Sequence, residues 1–364
     1  MKIGLLKESV AGEHRVALSP DITKKLIAKG FEVDVTAGAG EHAHFSDALY
    51  SEAGAQIVSA AEVLNADILV RVRKPSADEV ADLPNGAILI SHIESCEQDE
   101  TLKQILAKEV VFLAMERIPR ISRAQAMDAL SSQSNIAGYR AVIEAGVHYG
   151  RFLPLMMTSA GSAKPARLVV LGAGVAGLQA IATAKRLGAE VFAYDIRPET
   201  KEQIESLGAK AIELDIGESG SGEGGYAKEL SDEAKAKQQQ ALADELSKAH
   251  IIITTALIPC RPAPTLVTEE VIKNMREGSV VIDLAAANGG NCPLTEADKV
   301  VVKHGVTLVG HTNYPSMVPS DASAFYGGNI MNLLNIMVEK TDEGLVLKDL
   351  EEDEITSAMR LKPE

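Results

Sequence analysis

Residues 169–197 read VVLGAGVAGLQAIATAKRLGAEVFAYDIR, and the fold is decided here. A β-branched run ends at Leu171, the glycines Gly172, Gly174 and Gly177 follow as G-x-G-x-x-G, an alanine-rich helical segment runs to Gly188, and EVFAYD (190–195) returns to strand character. Strand, glycine turn, helix and strand compose one βαβ unit. In such a unit Gly172 permits the tight turn, Gly174 lets the backbone approach a pyrophosphate, and Gly177 lets helix and strand pack closely. The anion then lies over the helix N-terminus, where free N–H groups and the helix dipole favour it. Asp195 ends the second strand, the position from which a carboxylate accepts hydrogen bonds from ribose hydroxyls. A carboxylate there repels a 2′-phosphate, so the unit suits NAD(H) better than NADP(H), with Arg197 two residues on as a counter-charge.

Outward from this unit the alternation continues. Strands are expected at 166–172, 251–257, 279–285 and 306–310. A second series precedes them, with strands at KIGLLKE, 31–38, 67–74, 86–92 and 110–116 and helices at SDALYSEAG, AAEVLN and EQDETLKQILAK. Ser19 is placed to cap the first helix, Pro20 suits its first position and Gly30 ends it. Strands alternating with helices imply parallel sheets, and 364 residues exceed what one core organises. The expected architecture is α/β, with two doubly wound Rossmann-like domains separated by a cleft. The first covers 1–131 plus 318–364, where a long helix from about Asp321 to Glu339 returns to it. The second, 132–317, is the nucleotide-binding domain. NIAGYRAVIEAGVHYG (135–150) has helical spacing and bridges the two. The glycine-rich stretch 217–230, GESGSGEGGYAKEL, interrupts the series as a mobile loop.

Bulk properties exclude several classes. Aromatic residues make up 4% of the chain and Trp is absent, so the core is built from Ala, Ile, Leu and Val. A net charge of −15 argues against nucleic acid and against docking on anionic lipid. No apolar run approaches the roughly 20 residues of a spanning helix, and MKIGLLKESV is charged too early for a signal peptide; a cytosolic location is expected. Cys96, Cys260 and Cys292 lie far apart without a CxxC, and His42 and His44 flank a single alanine with no further ligands to join them. No metal site is expected. Acid–base candidates in the first domain are Lys7, Arg15, Lys74 and His92, the last two at strand ends, where active-site residues of open α/β sheets gather.

The polar run RIPRISRAQAMDALSSQSN (117–135) is not something a fold needs. Together with the other motifs it carries a resemblance. KIG..KE....RVALSP, a lysine at a strand end and a histidine in ISH resemble alanine dehydrogenase. The chain is more closely similar to the NAD(H)-binding component of proton-translocating NAD(P) transhydrogenase, through RISRAQAMDALSSQSNIAGYRAVIEA, GVAGLQAIATAKRLGA, GGYAKE, ITTALIPCRPAP, IDLAAANGGNCPLTE and VGHTNYPS. Alanine dehydrogenases carry an acidic residue shortly after the D-[LV]-A strand end; here Ala286, Ala287 and Asn288 occupy those positions. They also lack RISRAQ.

The resemblance implies that Arg120, Gln125, Asp128 and Ser131 form the nicotinamide end of the NAD site. Arg120 and Asp128 would pair with each other and with the ribose or carboxamide, and Gln125 would reach toward NADP(H). Val175, Ile196 and Arg197 would surround the adenosine with Asp195, and Tyr226 would fold over bound nucleotide. It further implies hydride exchange with NADP(H) on a separate domain, and a membrane-spanning component that couples this to proton movement. A homodimer held at the cytoplasmic face of the inner membrane by its partners, and nearly inactive alone, completes the expectation. The competing readings are an alanine-dehydrogenase-like enzyme, a non-catalytic NAD(H) sensor and a saccharopine-type dehydrogenase.

Overall fold

The strands of both series are short apolar runs without polar alternation, a pattern that suits sheets covered on both faces. The computed structural model describes residues 1–93, 99–214, 232–258 and 260–362. It opens with β1 (Lys2–Leu5), α1 (Pro20–Ala28), β2 (Glu32–Thr36), α2 (Asp47–Glu52), β3 (Gln56–Val58), β4 (Ile68–Val70), α3 (Ala77–Asp82), β5 (Ile88–Ser91), α4 (Glu100–Ala107) and β6 (Val111–Ala114). The Ser19 hydroxyl accepts from the Ile22 N–H at the start of α1, Pro20 is its first residue, and Gly30 leaves it at φ +104°. The six strands form one parallel sheet in the order β3-β2-β1-β4-β5-β6. The expected helix at AAEVLN is only a 3-10 turn, Val63–Asn65. Too few residues separate that turn from β4 for a longer element.

The helix α5 (Ala129–His148) follows the polar run. Next come the hairpin β7 (Met156–Thr158) and β8 (Gly161–Ala163), then β9 (Arg167–Leu171), α6 (Val175–Arg186), β10 (Glu190–Tyr194), α7 (Thr200–Ser206) and β11 (Lys210–Ala211). α8 (Asp232–Leu246), β12 (Ile251–Thr254), α9 (Glu269–Asn274), β13 (Val280–Asp283), β14 (Val300–Lys303) and β15 (Val306–Val309) complete a seven-stranded sheet ordered β11-β10-β9-β12-β13-β15-β14. Among its described strands only β14, at the edge, runs antiparallel. The chain closes with α10 (Pro319–Met337), the hairpin β16 (Val338–Thr341) and β17 (Gly344–Leu347), and α11 (Glu354–Met359). Two compact units result: Met1–Gln133 with Pro315–Glu364, and Ser134–Tyr314.

Within the first unit, side chains alternate between two cores at strand period two. Ile68, Val70, Ile90 and Leu113 pack with Leu26 of α1 and with Ile330, Leu333 and Leu334 of α10. Leu69, Leu89 and Phe112 face the other way, onto Val80 of α3 and Leu102 and Ile105 of α4. The second unit buries Val169, Leu171, Ile252, Val281 and Leu308 with Leu246 of α8 and Val271 and Ile272 of α9. Short elements absent from the sequence expectation (β3, α3, the two hairpins, α9 and α11) are those whose patterns are too brief for periodicity. α3 still carries a local sign, a capping box between Ser76 and Glu79.

α5 crosses α6 closely at Gly138, where a Cβ would lie 2.1 Å from the Ala176 carbonyl oxygen. A methyl group there must push two backbones apart, as overpacking does at a cost of about 1–3 kcal/mol. Gly146, in the same helix, would meet only Leu153 Cδ1 at 3.5 Å, an ordinary contact. Gly138→Ala should therefore lower the urea midpoint, whereas Gly146→Ala should leave it unchanged or raise it through helix propensity. Circular dichroism during denaturant titration measures both.

Candidate functional site

At the C-terminal end of β9 the chain turns through Gly172, held at φ +98°. A Cβ on Gly172 would lie 2.4 Å from Thr255 Oγ1, and one on Gly177 would lie 1.8 Å from the Gly172 carbonyl oxygen. Both positions therefore exclude any side chain. Gly174 precedes α6 in extended conformation with no side chain capping the helix. A Cβ on it would meet nothing within 4 Å. The space in front of α6 is open, and its first N–H groups are left for an anion. Val175, the first residue of α6, is partly exposed. Thr255, just past β12, donates its hydroxyl to Leu171 O and Gly172 O at 3.1 and 3.3 Å, bracing the turn from the adjacent strand.

Asp195, one residue beyond β10, faces the same turn. Its Oδ2 accepts from Ala173 N–H at 2.7 Å, which ties strand end to glycine turn. Arg197 donates Nε and its own N–H to Oδ1 (3.0 and 2.9 Å) and Nη2 to Oδ2 (2.9 Å). Burial pushes the Asp195 carboxyl up, but Arg197 and these backbone donors outweigh it and hold the group below its ordinary value. Asp195 is thus charged and fully engaged, and the half-exposed Arg197 side chain is the partner a ribose hydroxyl would replace. Ile196 is 70% exposed, an apolar surface at the same edge. Tyr226 and the stretch 217–230 lie outside the described residues.

Two residues that sequence reading did not single out hold the adjacent loop. Asp283, completely buried at the end of β13, accepts from Thr254 Oγ1 (3.0 Å) and from the N–H groups of Ala285, Asn291 and Cys292 (3.1 Å each). Asn291 donates from Nδ2 to Ala256 O and Pro264 O at 2.9 and 2.7 Å, linking the loops after β12 and β13. The quoted motifs IDLAAANGGN and ITTALIPCRPAP contain both halves of this arrangement, yet nothing local in them pairs the two.

In the first unit the polar run separates into scaffold and surface. Asp128 accepts from Ser131 N–H (2.9 Å) and Ser131 Oγ–H (2.6 Å) and so caps α5. It is therefore not paired with Arg120, contrary to the expectation: the cap satisfies helix N–H groups that would otherwise be orphaned. Arg120 and Gln125 are exposed, and the Arg120 side chain makes no hydrogen bond or ion pair among the described residues. Arg123 donates to both carboxylate oxygens of Asp353 at 2.7 and 3.0 Å. Ser132 donates to Asn329 Oδ1 at 2.7 Å. These two positions bind the run to α11 and α10.

The acid–base candidates are mostly engaged internally. Arg15 is buried, with Nε and Nη2 on Glu13 (2.8 and 2.7 Å) and Nη1 on Gln133 Oε1 (2.9 Å). Lys74 pairs with Asp99. His92 lies with Nδ1 3.4 Å from Glu116 and its ring 5.3 Å from that of Tyr326. Lys7, His42 and His44 are exposed. Sequence reading missed the groups that organise this region, Glu8, Glu13 and Arg71. Glu8 accepts from the N–H groups of Val72 and Arg73 (2.6 and 3.2 Å), yet burial outweighs these bonds and the Arg71 charge and pushes its carboxyl up to about 7. Burial also acts upward on Glu13, but Arg15 and Arg73 overcome it and bring the carboxyl down to about 2.

A doubly wound unit with a glycine turn, an open helix N-terminus and a strand-end carboxylate defines a dinucleotide-binding α/β protein. The chain belongs to the alanine dehydrogenase/PNT family, whose N-terminal domain matches residues 4–137 and whose C-terminal domain matches 141–361. It is 51% identical over 365 aligned residues to the first of the polypeptides that make up NAD(P) transhydrogenase subunit alpha in Rhodospirillum rubrum, covering 98% of this chain and 95% of that protein. The crystal structure of a transhydrogenase from Sinorhizobium meliloti matches with a TM-score of 0.89 at 44% identity, over 99% of this chain and 98% of the other. An L-alanine dehydrogenase structure matches at a TM-score of 0.81 and 26% identity, over 99% and 94%. No helix among the described residues is long and apolar enough to cross a membrane.

Replacing Asp195 by Ala should relax discrimination against NADPH, because the charge that repels a 2′-phosphate is gone while Arg197 remains. Comparative titration of NADH and NADPH fluorescence measures it; an unchanged ratio removes Asp195 from the ribose role. For Glu8 the folded value lies above the ordinary one of 4.5. Its contribution to stability is complete below about pH 4.5 and is lost as pH rises toward 7. The stability of the parent chain relative to Glu8→Gln should accordingly fall across that interval, as read by urea unfolding at about pH 5 and about pH 7.5.

Proposed function

We propose that this chain is the NAD(H)-binding component of a proton-translocating NAD(P) transhydrogenase. The observation that carries the reading is similarity along almost the whole chain, 51% identity over 98% of it, to a transhydrogenase alpha subunit. NAD(H) binds the second unit, with its pyrophosphate at Gly172, Gly174, Val175 and Gly177 and its adenosine ribose on Asp195, beside Ile196 and Arg197. Tyr226 contributes from outside the described residues. Arg120, Gln125, Asp128 and Ser131 of the first unit act at the nicotinamide. NADP(H) is held by a separate partner domain, and a membrane-spanning component couples the redox step to proton movement. The chain acts in the cytoplasm at the face of the inner membrane, held there by its partners. A second copy of the chain covers exposed apolar residues such as Phe152, Leu155 and Met157, which are 56, 57 and 75% accessible.

The chemistry fits the groups present. Hydride passes with its electron pair from C4 of one dihydronicotinamide to C4 of the other nicotinamide, reducing one cofactor as the other is oxidised. No oxygen or nitrogen changes protonation, so no general acid or base is required. What the reaction needs is two rings held about 3–3.5 Å apart in a reactive orientation. Ala286, Ala287 and Asn288 after β13 supply no carboxylate, and Arg15 and Lys74 are committed to Glu13 and Asp99. Arg120, with no hydrogen bond or ion pair among the described residues, is left to orient a ring.

The test mixes the pure chain with an NADP(H)-binding transhydrogenase domain and follows reduction of an NAD analogue by NADPH. Turnover is expected from the mixture and from neither component alone. Oxidation of NADH by pyruvate and ammonia with the chain alone would instead establish the alanine-dehydrogenase reading. Nucleotide binding without turnover in the mixture would establish a sensor. In the active mixture Arg120→Ala should slow hydride transfer far more than it weakens NADH binding. Equal losses would remove Arg120 from the reacting ring.

A further inference from the structure

Within the second unit, Glu144 and His148 lie one helical turn apart on α5, and His311 follows β15. Glu144 Oε2 is 3.6 Å from His148 Nε2 and 3.9 Å from His311 Nε2, and ligand atoms of the three residues all lie within 4.8 Å of one another. Both measured separations are too long for hydrogen bonds. A point equidistant from three atoms so spaced lies roughly 2–3 Å from each, against the 2.0–2.2 Å or so at which zinc takes imidazole nitrogen and carboxylate oxygen. A slight inward movement closes the shell. Glu144 is 5% exposed and both histidines are half-buried, so one side remains open to solvent.

The surroundings support a built site. The Tyr314 hydroxyl is buried and has no hydrogen-bond partner, and its ring stands edge-on to His311 with centroids 5.8 Å apart. Burial first, and then the charge of Glu144, push this phenol well above its ordinary value, which places the hydroxyl within the field of the cluster. Arg140 holds the other oxygen of Glu144 and fixes the carboxylate orientation. Asp298 accepts from Thr312 N–H and Oγ–H at 3.0 and 2.5 Å, fixing the segment that presents His311.

We propose that Glu144, His148 and His311 bind one divalent transition metal of the zinc type, which fastens the segment after β15 to α5. Two imidazoles and one carboxylate favour zinc, cobalt or nickel over magnesium or calcium, which take oxygen ligands. The site is separate from the glycine turn and does not depend on the nucleotide reading.

The test uses the full chain stripped of metal by a chelator and titrated with Co²⁺ by visible absorption and with Zn²⁺ by calorimetry. One equivalent per chain is expected, with the d–d bands of a low-coordinate N/O site. His148→Gln and His311→Gln should each weaken binding at least about tenfold, while His304→Gln, at an exposed histidine beside Glu269, should not. Far-UV circular dichroism establishes that the variants fold. A folded variant of either ligand that binds as tightly as the parent would overturn the site. So would a parent chain with no stoichiometric binding, which would leave Glu144 and the histidines as an ion-pair cluster only.

Discussion

The contact on which the second unit depends is between two backbones. α6 lies so close to the end of β9 that a single methyl on Gly177 would reach 1.8 Å from the Gly172 carbonyl. This approach brings the helix N-terminus directly over the strand end, where its N–H groups point into open space. Everything else at the turn follows from it. Thr255 braces the turn from β12, the Asp195 carboxylate takes the Ala173 N–H, and Arg197 closes over that carboxylate. A dipole that ends in open space attracts an anion, and a carboxylate at the next strand end selects which nucleotide fits beside it.

The first unit solves a different problem. Its strand ends carry charges that burial would penalise, and each is answered by another. Glu13 takes Arg15 and Arg73, Arg71 takes Glu8 and Glu79, and Gln133 completes Arg15. Breaking such a pair leaves an unbalanced charge in a low dielectric. The region therefore holds its charges rather than offering them to a substrate. That agrees with a reaction that shifts a hydride and no proton, and it explains why residues that look catalytic by type at strand ends carry no assigned step.

The legible parts of the sequence are those with fixed local spacing. The glycine triplet, the strand-end Asp195, the Ser19–Pro20 start of α1 and the two-faced apolar runs all act within a few residues of themselves. The polar run 117–135 shows the limit. By composition, its residues form one group; in the structure Arg123 belongs to α11, Ser132 to α10, and Asp128 to the start of its own helix. The expected Arg120–Asp128 pair is absent because the carboxylate is already used in capping the first turn of α5. AAEVLN is not a helix because helical composition in a short connection yields to the strand that must follow it.

By itself, the sequence determined the α/β class, the parallel sheets, the dinucleotide turn and its preference against a 2′-phosphate. These rest on periodicities of two and 3.6 and on glycines that only one backbone geometry explains. Tertiary structure alone decided which charges are spent internally, that Asp283 and Asn291 bind two loops together, and that His311 meets Glu144 and His148. Such meetings depend on where a distant strand ends, and no local pattern encodes that position. A side chain's type states what it can bind, while the fold decides what it finds within reach.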